Sequence, residues 1–328
     1  MTSRGLVFVT DWDYPSLDIE RAVLARAGLE LTPTQCRSED DVLAACADAE
    51  GLLNQYAPLT RRVLEGLRHL KVVTRYGVGY DTVDVQAATE LGIAVCNVPD
   101  YGVEEVSDHA IALILGLARG IARHDRAIRS GAWDFSLARP LRRTRGKTLG
   151  VLGYGRIGRA TARKGAGLGW QVIACDPAQA AGPEPVELVG FEELLERADY
   201  LSIHLPLTQQ TRGLIDAAAL ARLKPGAILV NTARGGIVDT EALTQALLGG
   251  RLAGAGLDVL DREPIAPGSP LLELENCILT PHAAWYSEDA FVELKTKAAE
   301  EVASVLTGRT PRYCLNPEVL SREVRVGV

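Results

Sequence analysis

Short β-branched runs alternate with longer amphipathic segments along most of the chain, and this alternation restricts the possible folds more than any other feature. In the N-terminal third, four apolar runs are separated by segments with helical spacing. The runs are LVFVT (6–10), GLLNQ (51–55), KVVTRY (71–76) and IAVCNV (93–98), and the segments are 18–27, 39–47 and 83–91. Neighbouring parallel strands need crossover connections, so this pattern predicts a parallel sheet with helices on both faces.

A second series of the same kind follows a helical pattern over residues 103–130 and an arginine-rich loop. Its six predicted strands lie in KTLGVLG, WQVIACD, DYLSIHL, AILVNTA, GAGLDV and CILTP. A chain of 328 residues is longer than one core usually serves. We therefore predict an α/β protein with two Rossmann-like, doubly wound parallel-sheet domains separated by a cleft.

The last helical segment, residues 287–306, is long enough to leave the second sheet and return to the first domain. This predicts a discontinuous first domain of residues 1–101 plus 287–328. The second domain is then predicted to comprise residues 102–286.

Composition excludes several classes of partner. The formal net charge is −7, which disfavours nucleic acid and anionic membranes, and no apolar run approaches the roughly 20 residues of a membrane span. No signal peptide is recognisable at the N-terminus. The six cysteines form no CxxC motif and no His/Cys cluster. These features predict a cytoplasmic protein without a bound metal.

Three glycines with GxGxxG spacing, Gly153, Gly155 and Gly158, follow a predicted strand and precede a predicted helix. Such glycines allow a tight turn, close approach to a pyrophosphate and close helix–strand packing. The alternative is a purely structural turn. The next strand ends in Asp176, at the spacing of an acid that binds the ribose hydroxyls. An acid followed by Pro177 disfavours a 2′-phosphate, so we predict NAD rather than NADP.

A nicotinamide enzyme that acts on an alcohol or ketone needs a proton donor, and histidine suits this task near neutral pH. Of the five histidines, His204 and His282 follow predicted strands. Ligands bind at the C-terminal ends of strands in such sheets. Glu263 and Arg234 follow neighbouring strands, where the carboxylate can orient His282 and the guanidinium can hold a substrate carboxylate. A structural Arg234–Glu263 salt bridge is the alternative.

Together these segments resemble the D-isomer-specific 2-hydroxyacid dehydrogenases, the family that includes phosphoglycerate dehydrogenase. The matching motifs are GVLGYGRIG, LPLTQQTRGLI, LKPGAILVNTARGGIVD, AGLDVLDREP and TPHAAW. The resemblance implies an NAD-dependent oxidoreductase that interconverts 2-keto acids and D-2-hydroxy acids by hydride transfer. It also implies that Arg234, Glu263 and His282 are the catalytic set.

The resemblance implies binding residues as well. The turn YGVGYD is similar to the family's substrate-carboxylate loop, although a plain tight turn after a strand is the alternative. Arg75 is a candidate contact for a second anionic group on the substrate. The substrate-binding candidates are Arg75, Tyr76, Gly77, Val78, Gly79 and Trp285. The cofactor-binding candidates are Gly153, Gly155, Arg156, Ile157, Gly158, Asp176, Ser107, His204, Pro206, Thr211, Thr232, Ala233 and Asp258.

One segment departs from typical phosphoglycerate dehydrogenases. HAAWYSE brings Trp285 and Tyr286 after the histidine, a version that resembles the C-terminal-binding-protein branch of corepressors. Trp285 is predicted to wall the substrate pocket and favour an apolar or larger side chain, with simple packing as the alternative. The branch also suggests a second function, an NAD(H)-sensing scaffold with little turnover. The family further implies a homodimer that pairs through residues 103–130.

Overall fold

The computed structural model describes residues 5–177 and 186–321. They form two compact units, and the chain passes from one to the other after Gly102 and after Tyr286. The first unit is therefore built from both ends of the chain, and the second from the residues between them.

Strands and helices alternate in both units. In chain order the strands are β1 (Leu6–Val9), β2 (Glu30–Pro33), β3 (Gly51–Asn54), β4 (Val72–Arg75), β5 (Ala94–Cys96), β6 (Thr148–Leu152), β7 (Gln171–Cys175), β8 (Glu187–Leu188), β9 (Tyr200–Ile203), β10 (Ala227–Asn231), β11 (Leu252–Leu257) and β12 (Cys277–Leu279). The α-helices are α1 (Asp18–Arg26), α2 (Glu39–Ala45), α3 (Arg61–Gly66), α4 (Val85–Leu91), α5 (Val103–Ala118), α6 (Ile121–Arg129), α7 (Arg156–Gly167), α8 (Phe191–Arg197), α9 (Ala217–Arg222), α10 (Thr240–Leu248) and α11 (Glu288–Leu306).

The sheet of the first unit has the parallel order β2-β1-β3-β4-β5. Strands β3, β4 and β5 are almost entirely buried, as expected where helices cover both faces. The register pairs Asn54 with Arg75, so both strands end at the same edge. Helix α11 begins after Ser287, whose side chain accepts the N–H of Ala290 at 2.9 Å, and it packs against α1 and β4.

The sheet of the second unit has seven parallel strands in the order β12-β11-β10-β9-β6-β7-β8. The chain order reverses between β6 and β9, which makes this the switch point where such sheets bind ligands. Apolar side chains pack on both of its faces, in one cluster around Leu201, Leu229 and Leu243 and in another around Ile114, Leu149 and Val230. The prediction of a doubly wound α/β architecture is confirmed.

The helical pattern over residues 103–130 is not one helix. Helix α5 ends at Ala118 and α6 begins at Ile121, because Gly120 between them takes a left-handed conformation with φ 63°. A β-carbon at Gly120 would lie 2.7 Å from that of Ala138. The break therefore allows the segment after α6 to pack closely against the end of α5.

Two edge strands and one helix were not predicted from the sequence. β2 and β8 lie at sheet edges, and β8 has only two residues. Helix α3 has six residues. Elements this short carry too few residues to display a period. In the described part of the chain, no helix is long and apolar enough to cross a membrane.

Candidate active site

The strand register of the second unit brings distant residues to one edge of the sheet. The aligned strand ends are Leu152, Cys175, Ile203, Asn231, Leu257 and Leu279. The residues that follow them are Gly153, Asp176, His204, Thr232, Asp258 and Thr280. Because all these strands are parallel, their C-terminal ends form a single row, and five of the predicted site residues stand in it.

The glycine turn after β6 has no room for larger residues. Gly153 has φ 95°, and a β-carbon there would lie 2.7 Å from the backbone of His204. A β-carbon at Gly158 would lie 2.0 Å from the carbonyl oxygen of Gly153. Gly155, by contrast, has open space around its α-carbon. Gly153 and Gly158 allow close packing of the turn, and Gly155 leaves the backbone accessible to a phosphate.

Helix α7 begins directly after this turn, and Arg156 and Ile157 form its first residues. Gly155 is its N-cap and provides no capping side chain. The N-terminus of a twelve-residue helix therefore points its partial positive charge at the turn. Asp176 is held beside it, because its Oδ2 accepts the N–H of Tyr154 at 2.7 Å.

A dinucleotide fits these residues. Besides the open glycine turn, the hydroxyl of Thr232 is buried without a hydrogen-bond partner in the described residues. Buried hydroxyls normally have a partner, so this atom is suited to a polar group of a bound molecule. The turn, the helix N-terminus, Asp176 and Thr232 all lie at the same sheet edge.

His282 and Glu263 meet as predicted. The imidazole Nδ1 lies 2.8 Å from Glu263 Oε2, while Glu263 Oε1 accepts the N–H of Leu260 at 2.9 Å. Burial by itself raises the pKa of Glu263, but the hydrogen bonds from His282 and Leu260 and the charges of His282 and Arg234 hold that pKa below its ordinary value. The carboxylate is therefore ionised at neutral pH and can stabilise an imidazolium.

Arg234 lies near Glu263 because the loops that carry these two residues are in close backbone contact. A β-carbon on Gly235 would lie only 1.8 Å from the carbonyl carbon of Leu260, so the loop after β10 packs directly on the loop that carries Glu263. One guanidinium nitrogen of Arg234 donates to the carbonyl of Ala233 at 2.8 Å. The charge of Arg234 contributes to lowering the pKa of Glu263.

The backbone of His282 is strained. Its φ is 55°, the one positive value among non-glycine residues in the described ranges, and such conformations cost about 1–3 kcal/mol. Asp258 stabilises it: its backbone carbonyl accepts the N–H of His282 at 2.8 Å, and its carboxylate accepts the N–H groups of Ala283 and Ala284 at 2.9 and 3.0 Å. Asp258 thus holds the loop that carries the imidazole.

Two residues join this network that the sequence did not single out. Thr280 donates its hydroxyl to Asp258 Oδ1 at 2.6 Å, and His109 Nε2 lies 3.0 Å from the same hydroxyl. Thr280 stands two residues before His282, and this proximity in sequence could have marked it as a site residue. His109 lies on α5, far away in sequence, and only the fold reveals its contact.

His204, the other histidine at a strand end, is bound to the sheet. Its Nε2 lies 2.8 Å from the hydroxyl of the fully buried Ser202. Burial lowers the pKa of His204 to about 4. A neutral imidazole cannot supply a proton at pH 7, which leaves His282 as the candidate acid.

The remaining cofactor candidates differ in position. Ala233 follows Thr232 at the row of strand ends, and its N–H donates to Asn231 at 3.0 Å. Pro206 and Thr211 close the loop after β9, where the Thr211 hydroxyl donates to the Pro206 carbonyl at 2.6 Å. Ser107 lies on α5 and contacts α7.

The hydroxyl of Ser107 is buried and donates to the Val103 carbonyl at 2.8 Å. It also accepts from Lys164, more than two turns beyond the start of α7, at 2.7 Å. These contacts indicate that Ser107 packs α5 against α7.

The substrate-binding candidates of the first unit follow β4. Gly77 has φ 113°, and a β-carbon there would lie 2.3 Å from an Arg75 guanidinium nitrogen, so the arginine folds over its own turn. The carbonyl of Gly77 accepts the N–H of Val98 at 3.0 Å, and that of Val78 accepts the Asn97 side chain at 2.7 Å.

In the described residues, no backbone carbonyl accepts the N–H groups of Gly77, Val78 and Gly79. Adjacent N–H groups without such a partner are suited to binding an anion. Trp285, in the second unit, packs edge to face on Tyr286 with ring centroids 5.5 Å apart.

Comparison with known proteins identifies the family. Residues 111–284 match the model of the NAD binding domain of D-isomer specific 2-hydroxyacid dehydrogenases. A glyoxylate reductase of Korarchaeum cryptofilum is 39% identical over 291 residues, which cover 86% of this chain and 87% of that protein. A D-3-phosphoglycerate dehydrogenase of Mycobacterium leprae is 44% identical over 86% of this chain, which spans only 54% of that relative.

Solved structures agree. A glyoxylate/hydroxypyruvate reductase of Sinorhizobium meliloti, determined with NADP and malonate, has a TM-score of 0.88 and 30% identity, with 98% of this chain and 100% of that one covered. A D-lactate dehydrogenase of Aquifex aeolicus, determined with NAD and lactic acid, has a TM-score of 0.82 and 27% identity, with 99% and 100% covered.

The chain belongs to the D-isomer-specific 2-hydroxyacid dehydrogenases. The prediction of an NAD-dependent oxidoreductase is confirmed over that of a scaffold with little turnover.

Proposed function

Because the chain is a D-isomer-specific 2-hydroxyacid dehydrogenase, we propose that it reduces a small 2-keto acid to the D-2-hydroxy acid, or the reverse, with His282 as acid–base. The hydrogen bond of 2.8 Å between His282 and the ionised Glu263 is the observation that carries the proposal. When bound, the nicotinamide supplies or accepts the hydride.

The chain's own residues manage the proton and the negative charge. In the reduction, His282 donates a proton to the oxygen of the ketone, and Glu263 stabilises the imidazolium before transfer. Arg234 binds the carboxylate and polarises the ketone oxygen. The N–H groups of Gly77–Gly79 are proposed to bind a carboxylate.

We propose NAD as the preferred cofactor. Asp176 is anchored at the glycine turn by the N–H of Tyr154, where we propose that its carboxylate accepts the ribose hydroxyls and its negative charge opposes a 2′-phosphate. Gly153, Gly155, Gly158, Thr232 and the N-terminus of α7 are the other proposed contacts.

The proposed substrate is a 2-keto acid whose side chain is limited by Trp285. Two of the relatives act on small keto acids by name, a glyoxylate reductase and a glyoxylate/hydroxypyruvate reductase. We propose that short acids bind, with Trp285 favouring apolar side chains. Arg75 is the proposed contact for a second anionic group.

We also propose a homodimer in the cytoplasm. Large apolar side chains after α6 are exposed to water: Trp133, in the loop, is 90% exposed, and Phe135, in the short helix Phe135–Ala138, is 74% exposed. Exposed aromatic clusters of this kind mark protein interfaces, and a second copy of the chain is the proposed partner. The cytoplasm is supported by the free thiols of all six cysteines.

Oxidation of NADH with a panel of keto acids tests the function. The panel comprises glyoxylate, hydroxypyruvate, pyruvate, 2-ketoisocaproate and phosphohydroxypyruvate, and chiral analysis of the product distinguishes D from L. We expect turnover of at least one acid to the D product. Binding of NADH without turnover of any of them, or formation of the L product, would contradict the proposal.

A further inference from the structure

Lysine is almost never fully buried, yet Lys295 of α11 is 0% exposed. Its ammonium lies 3.3 Å from Glu20 Oε2 and donates to the carbonyl of Ser16. It also faces the rings of Tyr14 and Phe291, at 4.9 and 4.7 Å from their centroids. These contacts replace the water that the charge gives up on burial.

Glu20 of α1 is equally inaccessible and links the lysine to a tyrosine. Its Oε1 accepts the hydroxyl of Tyr76 at 2.9 Å. The Tyr76 ring packs edge to face on Tyr14, with centroids 5.4 Å apart. The polar path therefore runs from Lys295 through Glu20 to Tyr76, and it joins α11 and α1 to the end of β4.

Tyr76 is the last residue before the turn Gly77–Gly79. Its N–H donates to the Asn54 carbonyl at 2.8 Å, so the backbone is held by the sheet and the ring by Glu20. On the far side, the N–H of Val98 holds the carbonyl of Gly77. Tyr76 is thus the anchor from which the turn departs.

Stability alone is a weak reason for such a network. A buried ion pair often contributes little compared with apolar residues of similar volume, because desolvation offsets the attraction. Hydrogen bonds are directional, however, whereas apolar contacts are not. The hydrogen bond from Tyr76 to Glu20, which is itself paired with Lys295, is suited to orienting the backbone after Tyr76.

We propose that Lys295, Glu20 and Tyr76 are positioning residues that hold the Gly77–Gly79 turn in the orientation that binds the substrate carboxylate. The inference rests on the proposed function, since it assigns this turn to substrate binding. It predicts that loss of the network weakens binding of the keto acid and leaves cofactor binding and proton transfer largely intact.

The first test is Tyr76→Phe, which removes one hydroxyl and keeps the ring. We expect KM for the best keto acid to rise about three- to tenfold, the change expected from one net hydrogen bond. We expect kcat and the Kd of NADH to stay within about twofold of wild type. Tyr76 belongs neither to the proposed catalytic residues nor to the glycine turn after β6 that is proposed to bind the cofactor.

Thr34→Val is the matched control. It also deletes one hydroxyl in the first unit, where Thr34 Oγ1 donates to the Val9 carbonyl at 2.7 Å, but it lies outside the path to the turn. We expect an unchanged KM. An equal rise in KM for both variants would reduce the network to general stabilisation and overturn the proposal.

Lys295→Met combined with Glu20→Gln removes both charges without leaving one unpaired. We expect its KM to rise as in Tyr76→Phe, and the triple variant to show little further increase, because residues on one path are not additive. A KM increase in the triple variant equal to the product of the increases in Tyr76→Phe and in the double variant would contradict a shared path.

Hydrogen exchange decides the proposal without turnover. The Tyr76 and Val98 amides, bonded to Asn54 and Gly77, are expected to exchange faster in Tyr76→Phe than in wild type or Thr34→Val. Unchanged exchange would refute the positioning role even if keto acids are reduced. Faster exchange in a protein that reduces no keto acid would instead contradict the proposed function alone.

Discussion

At the scale of single residues, the proposed chemistry depends on an imidazole with an ionised carboxylate behind it. His282→Ala removes the proposed proton donor, so kcat for keto-acid reduction is expected to fall about 10²–10⁴-fold. The proposed NADH contacts lie elsewhere along the sheet edge, so the Kd of NADH should stay within about twofold. Steady-state kinetics and fluorescence titration measure both quantities. A kcat near that of wild type would remove His282 from the mechanism.

Glu263→Gln keeps a hydrogen-bonding side chain and removes the charge. The pKa of Glu263 lies below its ordinary value, so the wild-type carboxylate is ionised throughout the neutral range and favours the imidazolium. Glu263→Gln removes this electrostatic stabilisation of the imidazolium. The alkaline limb of kcat for reduction is therefore expected to move about one unit toward acid. An unmoved limb would show that Glu263 does not tune the histidine.

Asp176 provides the corresponding test for the cofactor. Asp176→Ala removes the proposed acceptor of the ribose hydroxyls and the charge that opposes a 2′-phosphate. We expect kcat/KM for NADH to fall about tenfold or more, while that for NADPH falls less or rises. The ratio of the two kcat/KM values is the measurement, and a constant ratio would contradict the assignment.

At the scale of elements, the packing of α7 on β6 depends on one glycine. A β-carbon at Gly158 would meet the carbonyl of Gly153 at 2.0 Å, and backbone atoms cannot move aside as a flexible side chain can. Gly158→Ala is expected to lower the free energy of unfolding by about 1–3 kcal/mol and to weaken NADH binding.

Gly167→Ala is the control on the same helix. Nothing lies within 4 Å of a β-carbon at Gly167, so alanine should be neutral or stabilising by up to about 1 kcal/mol. Urea denaturation and NADH titration of both variants separate the effect of packing from that of helix propensity. Equal unfolding free energies for the two variants would contradict this account of Gly158.

At the scale of the whole molecule, the proposed dimer depends on the exposed aromatic side chains after α6. Trp133→Ser combined with Phe135→Ser removes the two most exposed of them, and we expect the mass in solution to fall from about twice 35.2 kDa toward the monomer value. Light scattering after gel filtration measures this mass.

Leu248→Ser provides the control, because Leu248 is 60% exposed on α10, outside this segment. Its mass should equal that of wild type. A wild-type protein that is monomeric at micromolar concentration would contradict the homodimer.

Much of the fold could be predicted from the chain because its signals are local. The β-branched runs, the glycine spacing and the residues after each run lie within short windows, and parallel strands necessarily end at one edge. The break at Gly120 was not predicted, since a glycine within a helical pattern does not by itself reveal its φ. The edge strands β2 and β8 were missed because neither presents an apolar run: β2 reads ELTP, and β8 has only two residues.

By itself, the sequence determined the two α/β units, the glycine turn for a dinucleotide, and the residue types Arg234, Glu263 and His282 at strand ends. Only the tertiary structure decided that Nδ1 of His282 meets Glu263, that burial keeps His204 neutral, and that Asp258, Thr280 and His109 support a strained loop. The physical reason is the distance along the chain between the residues that interact. Secondary structure follows from neighbours along the chain, whereas protonation and side-chain geometry depend on contacts between residues up to 279 positions apart.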